Sequence, residues 1–115
     1  MVMHSLTTTT ALEAAYARSM IEPVVVFKHS QTCSISTMAR RRMQQLVEEG
    51  GLPVYEVIVQ SSRDISQKLA RDLGIRHQSP QIIVIHRRKP VYDTSHSMIT
   101  PDRIRAAIAQ VTEAQ

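Results

Sequence analysis

The sequence contains one cysteine, Cys33, in the segment Thr32-Cys33-Ser34-Ile35-Ser36. A thiolate attacks disulfide sulfur, whereas a protonated thiol does not. The Cys-x-x-Ser spacing is that of a two-cysteine redox motif with serine in the second place. Ser36 could donate a hydrogen bond to a thiolate but cannot close a disulfide. A mixed disulfide on Cys33 would therefore need a thiol from another molecule to resolve it.

The position of Cys33 favours a reactive thiol. The run Val24–Phe27 is continuously apolar and typical of a strand covered on both faces. Cys33 follows it at the start of a predicted helix, where unpaired N–H groups and the helix dipole favour an anion. A lone cysteine is more commonly a small buried apolar residue, but its polar neighbours here favour exposure. The stripe at helical spacing after it comprises Ile35, Met38, Ala39, Arg42, Met43, Leu46 and Val47.

Ser79 and Pro80 precede the apolar run Gln81–Ile85. A proline at the first position of a strand is ordinary. The alternative is a cis Ser79–Pro80 bond facing Cys33. Such a bond would turn the Ser79 backbone outward, where it could pair with an extended substrate.

Several basic side chains could contact the charged groups of a substrate. A histidine could also shuttle a proton, although scattered histidines are commonly surface or capping residues. The five histidines show no metal-ligand spacing, so we predict no metal site and no cofactor. The candidates are Lys28, His29, His77 and His96.

The 115 residues and 43% hydrophobic composition predict one domain, residues 1–115, with residues 1–8 as a flexible N-terminus. No apolar run is long enough to span a membrane, and the N-terminal residues lack the features of a secretory signal. One cysteine cannot form an internal disulfide. We therefore expect a cytoplasmic protein.

The net charge of +4 raises nucleic-acid binding as an alternative. The basic residues form two short clusters, at residues 40–42 and 87–89. Neither cluster is interleaved with aromatic residues that could stack on bases. We therefore expect no nucleic-acid partner.

Hydrophobic periodicity predicts an α/β fold with the order α-β-α-β-α-β-β-α. Right-handed crossovers predict parallel pairing through the first two β-α-β connections, and a tight basic turn predicts an antiparallel last pair. The result is a mixed four-stranded sheet flanked by helices on both faces. The predicted helices run from about Thr9 to Met20, from Cys33 to Gly50, from Ser61 or Ser62 to Gly74, and from Thr100 onward; the strands are Val24–Phe27, Val54–Val59, Gln81–Ile85 and Val91–Thr94.

The segments Phe27–Ser36 and His77–Gln81 resemble the monothiol bacilliredoxins, also called YtxJ-like proteins, and Thr94–Thr100 resembles the stretch before the last helix of that family. The resemblance implies a thioredoxin-like fold with a cis proline facing the active cysteine. It makes Cys33 the nucleophile, with Thr32, Ser34 and Ser36 as its motif. Ser34 replaces the proline of the family's motif. By the same resemblance, Pro80 is the cis proline and Ser79 supplies the substrate-pairing backbone.

The resemblance also implies a function, the removal of bacillithiol from protein mixed disulfides. The partners would be bacillithiol or a similar low-molecular-weight thiol, together with S-thiolated client proteins. Lys28, His29 or His77 would contact the charged groups of the small thiol. The same exchange with glutathione, cysteine or coenzyme A remains open, although the Cys-Gly-Phe-Ser signature of monothiol glutaredoxins is missing. A non-catalytic thioredoxin-fold adaptor is a further alternative.

Overall fold

In the computed structural model, which describes residues 3–113, helices cover both faces of a five-stranded mixed sheet. The strands are β1 (His4–Ser5), β2 (Val24–His29), β3 (Val54–Ile58), β4 (Gln81–His86) and β5 (Lys89–Ser95). The helices are α1 (Thr9–Ser19), α2 (Ser34–Glu49), α3 (Arg63–Leu73) and α4 (Pro101–Glu113), and a 3-10 helix spans His96–Met98. The strand order is β1-β3-β2-β4-β5. None of the helices between residues 3 and 113 is long and apolar enough to cross a bilayer.

The fifth strand, β1, lies in a segment where the sequence predicts no structure. His4–Ser5 pairs in parallel with Tyr55–Glu56 of β3, and Leu6 is only 1% exposed. Residues 4–6 thus belong to the sheet and core, in contrast to the expected flexible N-terminus over residues 1–8. A two-residue strand is too short to show an alternating pattern, which explains the wrong strand count. Residues 1 and 2 lie outside the described residues.

The direction of β4 corrects a second expectation. β2 and β3 are parallel as predicted, but β4 pairs antiparallel with β2 rather than parallel with β3. The reason is the path of the chain after α3. Asp72, near the end of α3, accepts a hydrogen bond from Tyr16 of α1, whereas His77 contacts Lys28 at the end of β2. Residues 74–80 therefore carry the chain back along α3, and β4 starts at the edge where β2 ends.

Two apolar clusters hold the helices against the sheet. α1 and α3 pack on one face against Val24 and Val26, and α2 and α4 pack on the other face against Val25 and Phe27. Every residue of β2 and β4 is buried. This two-sided burial confirms the expectation from their continuous apolar runs. It also fixes the end of β2, from which the Cys33 loop leaves the sheet.

Gly74 ends α3 in the left-handed region, with φ 66°, and its N–H bonds to the carbonyl of Ala70. A Cβ at this position would meet no atom within 4 Å, so substitution costs only the backbone conformation. We expect Gly74→Ala to lower the free energy of unfolding by about 1 kcal/mol, measured by urea denaturation. Gly74→Asn should cost less, because asparagine tolerates this conformation better. An unchanged unfolding midpoint for Gly74→Ala would contradict this account of the helix end.

Candidate functional site

Cys33 occupies the N-cap position of α2, directly after the turn that leaves β2. Its side chain is partly exposed. The carbonyl of Cys33 accepts a hydrogen bond from Thr37 N at 3.1 Å, and its N–H donates to Ser30 O at 3.4 Å. The thiol therefore lies where the first-turn N–H groups of α2 are exposed, as the sequence predicts.

Gln60, just beyond β3, holds the loop that precedes Cys33. Its Nε2 donates to Ser30 Oγ at 2.9 Å and to Thr32 Oγ1 at 3.3 Å. Its Oε1 accepts from Gln31 N at 3.2 Å. The hydroxyl of Thr32 thus helps to fix the loop. Sequence reasoning missed Gln60, since a polar residue after a strand carries no distinguishing signal.

Ser36 is fully buried and ties the same loop to β2. Its Oγ accepts from Ser30 N at 2.9 Å and lies 2.8 Å from His29 Nδ1. Burial lowers the pKa of His29, which favours its neutral ring beside the Ser36 hydroxyl. Among the described residues, none donates a hydrogen bond to Cys33 Sγ. Ser36 therefore positions the loop, in contrast to the thiolate contact suggested by the Cys-x-x-Ser spacing.

Lys28 and His29 are buried, so neither can touch a small thiol on the surface. Lys28 Nζ donates to Ser66 O at 3.0 Å and to His77 Nδ1 at 3.2 Å. Burial lowers the pKa of Lys28 to about 8. Burial, and then the charge of Lys28, also lower the pKa of His77. Of these three residues only His77 is exposed.

The loop before β4 carries Ser79 and Pro80, and the peptide bond between them is cis. Gln81 holds this loop, because its Nε2 donates to Arg76 O at 3.1 Å and its Oε1 accepts from Gln78 N at 3.3 Å. Within the described residues the buried hydroxyl of Ser79 has no hydrogen-bond partner.

The sheet register places the Ser79–Pro80 loop at the end of the sheet where the Cys33 loop leaves β2. Gln81 pairs with Lys28, so β4 begins where β2 ends. The Pro80 carbonyl accepts from His96 N at 3.1 Å, which places the start of the 3-10 helix beside this loop. The Cys33 loop and the Ser79–Pro80 loop, both predicted site segments, thus adjoin neighbouring strands at the same end of the sheet.

Two apolar side chains beside Cys33 face solvent instead of the core. Ile35 is 47% exposed and Met38 55% exposed. Together with Arg42, His96 and Ser97 they line a cleft of about 170 Å³. Their apolar character made them appear to be core positions, but the helix turns this side away from the sheet.

The side chain of Arg42 connects α2 to the 3-10 helix. Its Nη1 donates to Ser97 O at 3.2 Å and to Ile99 O at 3.1 Å. Its neighbour Arg40 pairs with the buried carboxylate of Glu56 at 2.7 Å. These two members of the first basic cluster are therefore engaged within the protein.

The second basic cluster forms the turn between β4 and β5. Arg87 and Arg88 adopt positive φ values of 55° and 63°, which suits a tight hairpin turn. Arg88 pairs with Glu13 at 3.0 Å and its guanidinium lies 5.0 Å from the centroid of the Tyr16 ring. Among residues 3–113, no group of three or more His, Cys, Asp or Glu side chains could hold a metal ion.

Solved structures define the class of protein to which this fold and site belong. A proposed oxidoreductase with a thioredoxin fold is 28% identical, with 92% of this chain and 93% of that chain covered and a TM-score of 0.84. Thioredoxin from Fasciola hepatica is 19% identical, covering 94% of this chain and 98% of its own, with a TM-score of 0.76. Thioredoxin from Trypanosoma brucei brucei is 15% identical, covering 97% and 92%, with a TM-score of 0.77. The chain is therefore a thioredoxin-fold protein, with one cysteine at the start of α2.

A family model narrows this class. The model described as monothiol bacilliredoxin BrxC matches residues 4–104, which include the loop of Cys33, the cis Pro80 loop and all five strands of the sheet. The chain belongs to the monothiol bacilliredoxin family, as the resemblance of its motifs indicates.

Proposed function

We propose that this protein is a monothiol thiol–disulfide oxidoreductase that removes bacillithiol from protein mixed disulfides in the cytoplasm. The observation that carries the proposal is the placement of the one thiol in the sequence. Cys33 is partly exposed at the N-terminus of α2, on the sheet edge that also presents the cis Ser79–Pro80 loop. Membership of the bacilliredoxin family supports disulfide exchange as the chemistry.

The proposed reaction exchanges one disulfide for another. The Cys33 thiolate attacks the bacillithiol sulfur of a client mixed disulfide, and the client sulfur leaves as a thiolate that takes up a proton from water. Cys33 now holds bacillithiol in a mixed disulfide. A second small thiol attacks the bacillithiol sulfur, so that a low-molecular-weight disulfide is released and the Cys33 thiolate returns. The first step involves no net oxidation, and the second small thiol is the reductant for the cycle.

The surroundings of Cys33 suggest a role for each site residue. Thr32 and Ser36 hold the loop through Gln60 and His29, and Ser34 contributes a first-turn N–H near the sulfur, which the proline of the family's motif could not. We propose that the backbone of Ser79 pairs with the client chain next to its modified cysteine.

The experiment that tests this function is intact-mass spectrometry of the reduced protein mixed with one client, prepared as separate bacillithiol, glutathione, cysteine and coenzyme A adducts. We expect the bacillithiol adduct to react fastest, with gain of one bacillithiol by the protein and its loss from the client. Cys33→Ser is the control and should gain nothing.

Each other outcome changes the proposal in a defined way. Faster transfer from another adduct would keep the mechanism and replace the small thiol. Absence of transfer from all four adducts would refute the proposed exchange and favour the adaptor function.

A further inference from the structure

A groove of about 250 Å³ lies between α3 and the loop before Pro80, lined by Val59, Arg63, Gln67 and His77. No acidic side chain lines it. Asp64, the neighbour of Arg63, is exposed and does not line the groove. Within the described residues, the side chains of Arg63 and Gln67 form no hydrogen bond or ion pair. Their donor groups are therefore available to a ligand.

A buried positive charge lies directly behind this groove. Lys28 is completely buried, and its Nζ is bonded only to Ser66 O and His77 Nδ1 among residues 3–113. Neither partner is an anion. A buried cation without a counter-charge is costly, and a nearby anion would offset that cost. The electrostatics thus favour an acidic group in the groove.

The hydrogen bond from Lys28 also determines which nitrogen of His77 carries the proton. The Lys28 ammonium can only donate, so His77 Nδ1 accepts. In the neutral ring the proton is then on Nε2, which has no partner among the described residues. His77 therefore offers a single N–H donor toward the groove that it lines.

Contacts along the sheet edge connect the groove to the Cys33 loop. Val59 N donates to His29 O at 2.9 Å. The next residue, Gln60, bonds to the loop through Ser30 and Thr32. On the other side, His77 lies two residues before Ser79. The groove therefore lies at the end of the sheet where the loop that carries Cys33 leaves β2.

We propose that this groove is the subsite for the acidic group of the small thiol, bound by Arg63 and the Nε2–H of His77 while Cys33 exchanges with the thiol sulfur. The inference rests on the proposed function and adds the class of substrate, a small thiol with a carboxylate or phosphate. Lys28 acts from behind as a fixed positive charge and as the residue that orients His77. Gln67 supplies a further amide donor.

The test compares two adducts of the same client, one with mercaptopropionate, which ends in a carboxylate, and one with mercaptopropanol, which ends in a hydroxyl. Since the client is identical, a rate difference reports on the small thiol and not on an acidic residue of the client. We expect the wild type to remove mercaptopropionate from the client about fivefold faster than it removes mercaptopropanol. This advantage should shrink as salt concentration rises.

Variants of Arg63 then assign the effect to the groove. Arg63→Gln should reduce the ratio of the mercaptopropionate rate to the mercaptopropanol rate to about one, and Arg63→Glu should make mercaptopropionate the slower adduct. Arg103→Gln is the matched control, because Arg103 is exposed on α4 and does not line the groove. Equal rates for the two adducts in the wild type, or a ratio unchanged in both Arg63 variants, would overturn the proposal.

A binding measurement keeps the subsite separate from the exchange reaction. If neither adduct is transferred, the proposed function fails, but the groove is still tested by titrating inorganic phosphate into the reduced protein. In NMR spectra we expect the His77 Nε2 resonance to shift with phosphate concentration until it saturates. This shift should be lost in Arg63→Gln. No shift in the wild type, or the same shift in Arg63→Gln, would contradict the subsite.

Discussion

Replacing Ser36 with cysteine is expected to eliminate the stable mixed disulfide at Cys33. In the wild type the adduct should persist until an external thiol removes it, because Cys33 is the only thiol in the chain. In Ser36→Cys a second thiol lies three residues along the same helix, within the range of a disulfide. It would attack Cys33 Sγ, release the small thiol and close an internal disulfide.

Intact-mass spectrometry distinguishes these products directly. The wild type should carry one small thiol per chain, whereas Ser36→Cys should return to its own mass less two hydrogen atoms. The matched control is Arg41→Cys, which adds a thiol at an exposed position two turns along α2 and out of reach of Cys33. Persistence of the adduct in Ser36→Cys would show that residue 36 cannot approach Cys33, and so would contradict the geometry of this helix start.

Replacing Lys28 with methionine is expected to stabilise the protein at neutral pH. Burial lowers the pKa of Lys28 from its ordinary value of 10.5 to about 8, which corresponds to a cost of about 3 kcal/mol for the protonated form. Methionine removes that cost but also removes the hydrogen bonds to Ser66 and His77, each worth about 1 kcal/mol. We therefore expect a gain of about 1–2 kcal/mol in the free energy of unfolding at pH 7.

The pH dependence provides the sharper test of this prediction. Between pH 8 and 10.5 the unfolded chain retains the Lys28 proton while the folded protein loses it, so the stability of the wild type rises with pH in this window. The advantage of Lys28→Met should therefore be largest below pH 8 and reverse before pH 10.5, because neutral Lys28 keeps its hydrogen bonds without the cost of the charge. Lys89→Met, at an exposed position, is the control for general charge effects. A stability difference that is constant across this window would show that Lys28 does not titrate as its burial requires.

Local patterns in the sequence were sufficient to predict most of the fold and the position of Cys33. The unbroken apolar run of β2 and the polar turn after it place Cys33 at a helix start, where the structure has it. The ends of helices can also be predicted from single residues. Gly74 ends α3 with a positive φ, and Thr100 Oγ1 accepts a hydrogen bond from Arg103 N at 3.3 Å.

The largest errors concern contacts between residues distant in sequence. The antiparallel direction of β4 depends on the path of residues 74–80 along α3, which no local pattern encodes. The burial of Lys28 depends on Ser66 and His77, which lie 38 and 49 residues away. Ser62, one of the two residues predicted to begin α3, occupies the N-cap position, but its hydroxyl makes no capping hydrogen bond. These arrangements follow from packing, which hydrophobic periodicity does not report.

The two edge strands of the sheet have a consequence for the proposed exchange with client proteins. An uncovered strand edge can capture a foreign backbone along its whole length. Here the short strand β1 covers part of one edge by pairing with Tyr55–Glu56. The other edge, β5, contains Lys89, Pro90 and Asp93, and its pairing with β4 is interrupted at Val84/Ile85. Both edges therefore disfavour strand addition, which leaves the loops around Cys33 as the proposed place of contact with an extended client chain.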